Sequence, residues 1–305
     1  MKMSDLIIET INLTRQYGRF TAVNQLNMKV ARGSIYGFLG ENGAGKTTAI
    51  RMILGLIHIT SGEVRLFGKS FKPNRNEILK RIGALVETPS AFDHLSGKDN
   101  LRYICKLRNI PESQVDHVLK IVDLSHAQNK DVRKYSLGMR QRLGIAIALL
   151  GQPELLILDE PTNGLDPSGI REVRDLIKSL PTQGYTILVS SHLLSEVEQI
   201  ASHVGIIHAG QLLYQGEMER ITRRGKAMIH LKCKSMSEAI HLLEVHYPEV
   251  YLENDTIQIP GSEEQIDEII RLLIENDMKI QGIYLQQSNL ESIFLELIQT
   301  ESAAS

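Results

Sequence analysis

A phosphate-binding loop set between an apolar strand and an apolar helix largely decides the fold class of this chain. Residues Gly40 to Thr48 read G-E-N-G-A-G-K-T-T. The residues before them, Ile35 to Leu39, predict a short buried strand, and Ala49 to Leu54 predict a helix. A strand, a glycine-rich loop and a helix in this order form the context in which G-x-x-x-x-G-K-[ST] binds phosphate. The sequence therefore predicts a nucleoside triphosphate site.

Each residue type in this loop has a chemical reason. The glycines at 40, 43 and 45 let successive backbone N–H groups face a phosphate without a Cβ clash, and the following helix presents the positive end of its dipole. Lys46 is expected to reach the β- and γ-phosphates, and the Thr47 hydroxyl to bind Mg²⁺. The flanking strand and helix argue against the alternative, a glycine-rich turn without this function.

Two carboxylates follow a second apolar run, Leu155 to Leu158. This run is too short for most helices and predicts a central parallel strand. Asp159, at the carboxyl end of such a strand, is placed to hold Mg²⁺ through its hydration shell, and Glu160 to polarise an attacking water molecule. The alternative is a solvated acidic strand end.

Two polar segments complete the pattern. Ser136 precedes the apolar segment Leu143 to Leu150 and is expected to cap that helix, so its hydroxyl and the Gly138 amide would lie at the positive end of the dipole. His192 follows a predicted strand, Tyr185 to Val189, whose end should lie near the γ-phosphate. Taken alone, a capped helix and a histidine after a strand are more often structural features.

In combination, these segments resemble the ATP-binding subunit of an ABC transporter over about residues 4–220. The matching segments are the adenine-stacking aromatic at Tyr17, the Walker A loop at Gly40 to Thr48, the signature at Tyr135 to Met139, Walker B at Leu155 to Glu160, the D-loop at Gly164 to Asp166 and the switch histidine at His192.

The resemblance implies ATP and Mg²⁺ as cofactors and assigns the site residues. The implied nucleotide-binding residues are Tyr17, Gly40, Asn42, Gly43, Ala44, Gly45, Lys46, Thr47, Thr48, Ser136, Gly138 and Asp166. The implied catalytic residues are Glu160, His192 and Lys46, and the implied metal-binding residues are Thr47, Asp159 and Glu87.

Two features depart from the pattern of most family members. Glu87 stands where most members have a glutamine, and its carboxylate is able to bind metal or water. Leu137 and Met139 replace a glycine and a glutamine of the signature, whereas Ser136 and Gly138 are retained. An acidic residue in this loop and an S-L-G-M signature resemble the branch of bacitracin-export and lantibiotic-immunity subunits.

The resemblance also implies partners. Two such domains pack head to tail, with each ATP between the Walker A loop of one and the signature helix of the other. This chain carries one set of motifs, so it is expected to pair with a copy of itself or with a sister subunit. ATP binding and hydrolysis would shift the population between closed and open pairs. The expected function is to power a separate transmembrane permease that exports a peptide antibiotic or another amphiphile, giving resistance.

Other classes of function fit less well. ABC proteins that act on ribosomes usually carry two motif sets in one chain, and DNA-repair relatives interrupt the domain with coiled coils. A phosphate-loop kinase or GTPase would lack the combination of Ser136, Asp159, Glu160 and His192. An ABC ATPase that drives a regulatory or signalling membrane complex stays open as the alternative. The sequence leaves the cargo, the transport direction and the choice between homodimer and heterodimer open.

Charge and composition limit the partners and the location. With 34 basic and 36 acidic residues, the net charge of −2 gives no electrostatic footprint for nucleic acid. Cys105 and Cys233 lack metal-ligand spacing and are expected to be buried thiols in a reducing compartment. No segment approaches the ~18 to 20 consecutive apolar residues that span a bilayer. The membrane part is therefore expected to be another polypeptide, and this chain to lie in the cytoplasm at the inner face of the membrane.

Strand and helix patterns predict an α/β fold of the P-loop NTPase type, in its ABC ATPase form. It would comprise a parallel-sheet core, an antiparallel flank and a helical lobe, followed by a small C-terminal α+β domain. The predicted domains are residues 4–220, with the helical lobe at about 92–150, and residues 226–300, with a linker at Arg223 to Gly225. The flank strands are predicted at Leu6 to Leu13, Leu26 to Ala31 and Gly62 to Phe67, and the first lobe helices at Asp93 to Arg108 and Glu112 to Leu124.

The C-terminal segment predicts a βαββαβ order and hence a small split βαβ sandwich. Its predicted elements are a strand near Ala227 to Cys233, a helix at Ser237 to His246, a hairpin at Val250 to Ile259 turning at Asn254 and Asp255, a helix at Ser262 to Asn276 and a strand at Lys279 to Gln286. A last helix with a capping box is expected from Ser288, with an apolar stripe that serves as core or as a subunit contact. Residues Ser302 to Ser305 are expected to fray.

Overall fold

A computed structural model of the chain describes residues 6–87, 91–222, 227–253, 255–286 and 289–304. The chain divides into two compact units, Met1–Met218 and Glu219–Ser305. The predicted linker, Arg223 to Gly225, lies outside the described residues.

The first unit begins with the strands and helices that surround the phosphate loop. They are β1 (Leu6–Tyr17), β2 (Phe20–Leu26), β3 (Lys29–Ala31), β4 (Ile35–Leu39), α1 (Lys46–Ile53), β5 (Ser61–Leu66), β6 (Lys69–Ser70), α2 (Phe71–Leu79) and β7 (Ile82–Leu85). The helical lobe follows with α3 (Gly97–Arg108), α4 (Gln114–Ile121) and α5 (Leu137–Leu149), and with 3₁₀ helices at Ser125–Ala127 and Val132–Lys134. The rest comprises β8 (Leu155–Asp159), α6 (Pro167–Ser179), a 3₁₀ helix at Pro181–Gln183, β9 (Thr186–Ser191), α7 (Leu194–Glu198), β10 (His203–His208), β11 (Gln211–Glu217) and α8 (Met218–Thr222), which crosses into the second unit.

In the described part of this unit, two sheets enclose the core. A six-stranded sheet has the order β11-β10-β4-β9-β8-β7, in which β11 pairs antiparallel and the other neighbours pair parallel. An antiparallel sheet has the order β2-β1-β5-β6, with β3 also paired to β1. The core cluster includes Phe38, Ile50, Leu66 and Ile157, which are fully buried. The predicted parallel core and antiparallel flank are confirmed.

All residues of β4, β8 and β9 are buried. Strands that are covered on both faces consist largely of continuous apolar residues. For this reason these three strands could be predicted from the sequence. Because parallel strands share their carboxyl edge, β4, β8 and β9 bring the phosphate loop, Asp159 and His192 to one side of the sheet.

Several predicted boundaries were wrong. Helix α3 begins at Gly97 and not at Asp93, because the Ser96 hydroxyl accepts a hydrogen bond from the Asp99 amide at 3.0 Å and caps the helix there. Helix α4 begins at Gln114, since Pro111 lies in a turn in which the Gln114 amide donates to the Pro111 carbonyl at 3.1 Å. The strand predicted at Leu26 to Ala31 is divided between the end of β2 and β3.

The second unit has the predicted βαββαβ order. Its elements are β12 (Met228–Cys233), α9 (Met236–Glu244), β13 (Tyr251–Glu253), β14 (Thr256–Pro260), α10 (Glu263–Glu275), β15 (Ile280–Gln286) and α11 (Leu290–Ala304). Its described strands form an antiparallel sheet of order β13-β14-β12-β15, the arrangement of a split βαβ fold. Buried residues of β12, β14 and α10 supply its core, among them Leu231, Ile257 and Leu273.

The last helix starts and ends differently from the prediction. Ser288 and Ser305 lie outside the described residues, as does Asn254 of the predicted turn. The Asn289 side chain accepts a hydrogen bond from the Ser292 amide at 2.9 Å, so Asn289 has the capping role predicted for Ser288. Helix α11 continues to Ala304, so the fraying expected from Ser302 is not observed up to that residue.

Glu154, at the edge of the parallel sheet where β8 begins, binds two arginines. Its carboxylate lies 2.5 Å from Arg81 Nε and 2.6 Å from Arg32 Nη1. The hydrogen bond from Arg81, followed by that from Arg32, lowers the pKa of Glu154 from 4.5 to about 2. A depressed carboxyl pKa contributes stability that is present above the unfolded value and is lost as the pH falls toward the folded value.

We therefore expect Glu154→Gln to lower the free energy of unfolding by about 1 kcal/mol at pH 7, a value kept small because the carboxylate is partly exposed. The difference from the wild-type chain should shrink as the pH falls from about 5 toward 3. Urea unfolding at pH 7, 5 and 3 measures it. Glu77→Gln, which breaks a single exposed pair with Lys69, serves as the control with the smaller effect. A difference independent of pH would contradict the assignment.

Candidate functional site

The phosphate loop turns between β4 and α1 as the sequence predicts, and two of its glycines are required by close packing. A Cβ at Gly40 would lie 2.3 Å from the Ile207 carbonyl oxygen. Gly45 has a φ of 107° and caps α1, and a Cβ there would lie 2.5 Å from the Ala22 carbonyl oxygen. The loop therefore approaches β2 and β10 with bare backbone, which leaves its amides and the α1 N-terminus available to an anion.

A cavity of about 370 Å³ opens above this loop. It is lined by Phe20, Ala22, Asn42, Gly43, Gly45, Lys46, Thr47, Thr48 and Glu160. Six of the predicted nucleotide-binding residues thus meet the predicted catalytic carboxylate, Glu160, in one space, and Ala44 of the same loop is buried.

Lys46 lies inside the loop and not in solvent, with 5% of its side chain exposed. Its Nζ donates to the carbonyl oxygens of Gly40 at 2.7 Å and Glu41 at 3.1 Å. The same atom lies 3.1 Å from Glu160 Oε1. The ammonium group is therefore held at the base of the cavity, where it offers positive charge to a phosphate group.

Glu160 joins Lys46 to His192. Its second oxygen, Oε2, lies 2.7 Å from His192 Nδ1. Glu160 follows the last residue of β8 with a φ of 50°, in the left-handed region, and this turn directs its carboxylate toward the loop. The structure thus brings the three predicted catalytic residues, Lys46, Glu160 and His192, into one chain of polar contacts.

Asp159 ends β8 with a buried carboxylate. Its Oδ1 accepts a hydrogen bond from the Ser190 hydroxyl at 2.6 Å. Thr47 lies in the first turn of α1 and lines the cavity. A hydroxyl and a carboxylate are hard oxygen donors that suit Mg²⁺. Among the described residues, no group of three or more His, Cys, Asp or Glu side chains could hold a metal ion.

Glu87, the remaining predicted metal ligand, forms an ion pair with Arg51 near the end of α1. Its φ is 65°, and 63% of its side chain is exposed. It is not among the residues that line the cavity above the phosphate loop. Metal binding by Glu87 stays a prediction, with Arg51 as the partner that the structure shows.

The signature residues lie on the helical lobe and do not line that cavity. The Ser136 hydroxyl accepts a hydrogen bond from the Met139 amide at 3.2 Å, which confirms Ser136 as the cap of α5. Leu137 beside it is 49% exposed. A Cβ at Gly138 would meet no atom closer than 3.9 Å, so this helix start presents open space within the single chain.

Tyr17 and Asp166 also lie outside the cavity lining. Tyr17 ends β1 with 47% of its surface exposed, and the Arg15 guanidinium carbon lies 4.2 Å from its ring centroid. Asp166 caps α6 by accepting from the Gly169 amide at 3.1 Å. Its second oxygen accepts from the Ser168 hydroxyl, and these two bonds lower the pKa of Asp166, with the Ser168 bond the larger cause.

Sequence reasoning missed Phe20, Ala22 and Ser190. Phe20 and Ala22 line the cavity because β2 runs over the phosphate loop. Phe20 lies three residues after Tyr17 in the same polar turn. An aromatic residue at that place in the sequence could have been recognised as a candidate for the site. Ser190 gave no signal, since its contacts depend on the pairing of β8 with β9.

Comparisons with known proteins agree with this geometry. The family model described as ABC transporter matches residues 23–163. The bacitracin transport ATP-binding protein BcrA of Bacillus licheniformis is 46% identical over 96% of this chain and 97% of its own. The lantibiotic transport ATP-binding protein SrtF of Streptococcus pyogenes is 42% identical over 68% of this chain and 90% of its own.

Among solved structures, cbiO1 of Clostridium perfringens, part of the ABC transporter complex cbiONQ, superposes with a TM-score of 0.66. It is 25% identical and covers 80% of this chain and 96% of its own. Within the described residues, we find no helix with the length and apolar character needed to cross a bilayer. The match to BcrA over nearly the whole of both chains decides the family: this chain belongs to the ATP-binding proteins of ABC transporters and is an ABC transporter ATPase.

Proposed function

We propose that two copies of this chain hydrolyse Mg²⁺-bound ATP and thereby drive a separate permease that exports a peptide antibiotic of the bacitracin or lantibiotic kind. The observation that carries the hydrolytic part is the chain of contacts from Lys46 through Glu160 to His192. The cargo class is supported by the identity to BcrA and SrtF, whose names state transport of bacitracin and of a lantibiotic.

The roles in hydrolysis follow from charge. Lys46 neutralises the β- and γ-phosphates, while Glu160 orients the attacking water and accepts its proton. His192 fixes the Glu160 carboxylate through the 2.7 Å contact. Thr47 and Asp159 would hold Mg²⁺, and a bound ion would supply positive charge that offsets the charge of the phosphates.

The second half of each site comes from the partner copy in this proposal. Ser136 and Gly138 lie at the start of a 13-residue helix, and neither lines the cavity of its own chain. Such a helix start attracts anions and can donate amide hydrogen bonds to a phosphate. Tyr17 is available to stack on adenine, and Asp166 positions the loop before α6 near the partner.

An apolar cleft offers a place for the permease. It has a volume of about 350 Å³ and lies between α5 of the helical lobe and the segments around α1, α2 and β7. Its lining includes Leu54, Leu56, Leu79, Leu85 and Ile147. We propose that a short amphipathic helix on the inner side of the permease docks here, which would place this chain at the inner face of the membrane.

We expect Leu56→Asp to separate the two halves of the proposal. Leu56 is 59% exposed at this cleft, so a charge there should leave the fold intact and oppose docking of an apolar helix. Co-purification with the neighbouring permease should fall about tenfold or more, with ATP turnover of the isolated chain unchanged. Leu107→Asp, at a leucine of α3 that is also exposed (70%) but lies outside the cleft lining, is the control. Undiminished co-purification would place the permease elsewhere.

The function is tested in cells that produce the chain with its neighbouring permease. Growth in the presence of bacitracin and of a lantibiotic is compared for the wild-type chain, Glu160→Gln and Leu56→Asp. Resistance that requires the wild-type chain supports export. Unchanged susceptibility to both, with ATP turnover intact, would favour a regulatory or signalling complex.

A further inference from the structure

A single buried hydroxyl connects the Asp159 carboxylate with the Glu160 backbone in the proposed hydrolysis site. Ser190 lies on β9 opposite Asp159 of β8 and is fully buried. Its Oγ donates to Asp159 Oδ1 at 2.6 Å and accepts from the Glu160 amide at 3.0 Å. One hydroxyl has one proton to give and lone pairs to receive, so both bonds are compatible with a single orientation.

Each of the two hydrogen bonds of Ser190 stabilises a group that is otherwise unfavourable. Asp159 carries a buried carboxylate, which is costly unless it accepts hydrogen bonds. Glu160 has a φ of 50°, a strained backbone conformation for an L-residue that persists only where neighbouring groups hold it. The Ser190 hydroxyl therefore holds the Asp159 side chain and the Glu160 backbone at the same time.

By holding the Glu160 backbone, Ser190 also influences where the Glu160 carboxylate lies. The turn at Glu160 directs its carboxylate to Lys46 and His192, and His192 lies two residues after Ser190 on the same segment. With one oxygen of Asp159 bonded to Ser190, its orientation toward a metal ion or the ion's water shell is fixed.

We propose that Ser190 is a positioning residue of the ATPase site, which sets the Asp159 carboxylate for Mg²⁺ and the Glu160 turn for hydrolysis; this inference rests on the proposed function of that site. Ser190 touches neither nucleotide nor water in this role. It acts through the Asp159 carboxylate and the Glu160 backbone at the end of β8.

The test measures the affinity of the purified full chain for ATP by calorimetry, once with Mg²⁺ and once with EDTA, together with ATP turnover. In Ser190→Ala we expect the affinity in EDTA to equal that of the wild-type chain. The gain in affinity that Mg²⁺ provides should fall about tenfold and turnover about ten- to a hundredfold, as expected for the loss of a hydrogen bond to a carboxylate together with one to a backbone amide. Ser190→Thr, which keeps the hydroxyl, should restore both.

Thr186→Val is the matched control for a loss of stability. Thr186 is a buried hydroxyl at the other end of β9, where it accepts from the Gly33 amide at 2.9 Å. The substitution should lower the thermal midpoint but leave the Mg²⁺ gain unchanged. Should Ser190→Ala fail to fold, Ser190→Cys, with a weakly bonding thiol, takes its place in the same comparison.

The outcomes separate the two proposals. A Ser190→Ala chain that keeps the wild-type Mg²⁺ gain and turnover would overturn the role of Ser190 and leave the ATPase assignment standing. A wild-type chain that binds no ATP under either condition would overturn the proposed function itself. Equal losses in Thr186→Val and Ser190→Ala would show a general effect of strand stability and would also overturn the role of Ser190.

Discussion

Glu160→Gln is expected to slow ATP turnover by about 10²- to 10⁴-fold, because the amide cannot accept a proton from the attacking water. ATP binding should be retained or become tighter. Glu160 Oε1 lies 3.1 Å from Lys46 Nζ, so the substitution removes a negative charge beside the group that meets the phosphates. With ATP bound and hydrolysis blocked, the closed pair should accumulate.

Turnover, ATP affinity and light scattering on the same preparation measure these effects. Glu154→Gln is a matched control, since it makes the same chemical change at the other end of the same strand segment, away from the phosphate loop. Glu160→Gln turnover at the wild-type rate would contradict the assignment of Glu160. Scattering that shows only single chains in ATP would contradict the two-copy site.

Gly138→Asp is expected to lower turnover by about a hundredfold or more, because it places a carboxylate where the proposed site offers amides to the γ-phosphate of the partner. An added Cβ at Gly138 has no neighbour within 3.9 Å in the single chain, so the fold should tolerate it. ATP affinity of the single chain should stay unchanged, since Gly138 does not line the cavity around Lys46. Gly138→Asn, which has the same shape without the charge, should be impaired less.

Mixing two inactive variants tests whether the site is shared between chains. A Gly138→Asp chain keeps Lys46, and a Lys46→Ala chain keeps the signature helix, so a mixed pair would contain one intact site. Turnover should reappear on mixing, up to about a quarter of the wild-type value if the pairs assort at random and the sites act independently. The chain that carries both substitutions, mixed with either single variant, forms no intact site and is the control. No recovery beyond that control would contradict the two-copy arrangement.

The sequence predicted the parallel core well because β4, β8 and β9 are buried on both faces and read as unbroken apolar runs. It placed the ends of α3 and α4 poorly, since those depend on local capping by Ser96 and on the turn at Pro111, which compete with apolar periodicity. The phosphate loop, Glu160 and His192 were predictable because glycines, charges and spacing carry the information.

Other parts of the site could not be predicted because they arise from pairing between distant segments. The bonds of Ser190 depend on the register of β8 and β9, and Phe20 reaches the cavity because β2 crosses the phosphate loop. Arg51 as the partner of Glu87 likewise requires the loop after β7 to lie against α1. In each case the residues are at least twenty positions apart in sequence, so no local pattern marks them.

Helix α1 directly connects the phosphate loop with the apolar cleft in the first unit. Its first residue, Lys46, belongs to the phosphate loop, and Leu54, just beyond its last residue, lines the apolar cleft. The eight residues of the helix span about 12 Å, at roughly 1.5 Å per residue. Because a helix held by backbone hydrogen bonds resists compression, we expect a displacement along α1 at the nucleotide end to reach the cleft. A permease helix docked in the cleft, as proposed above, would then be displaced when phosphate release moves the phosphate loop.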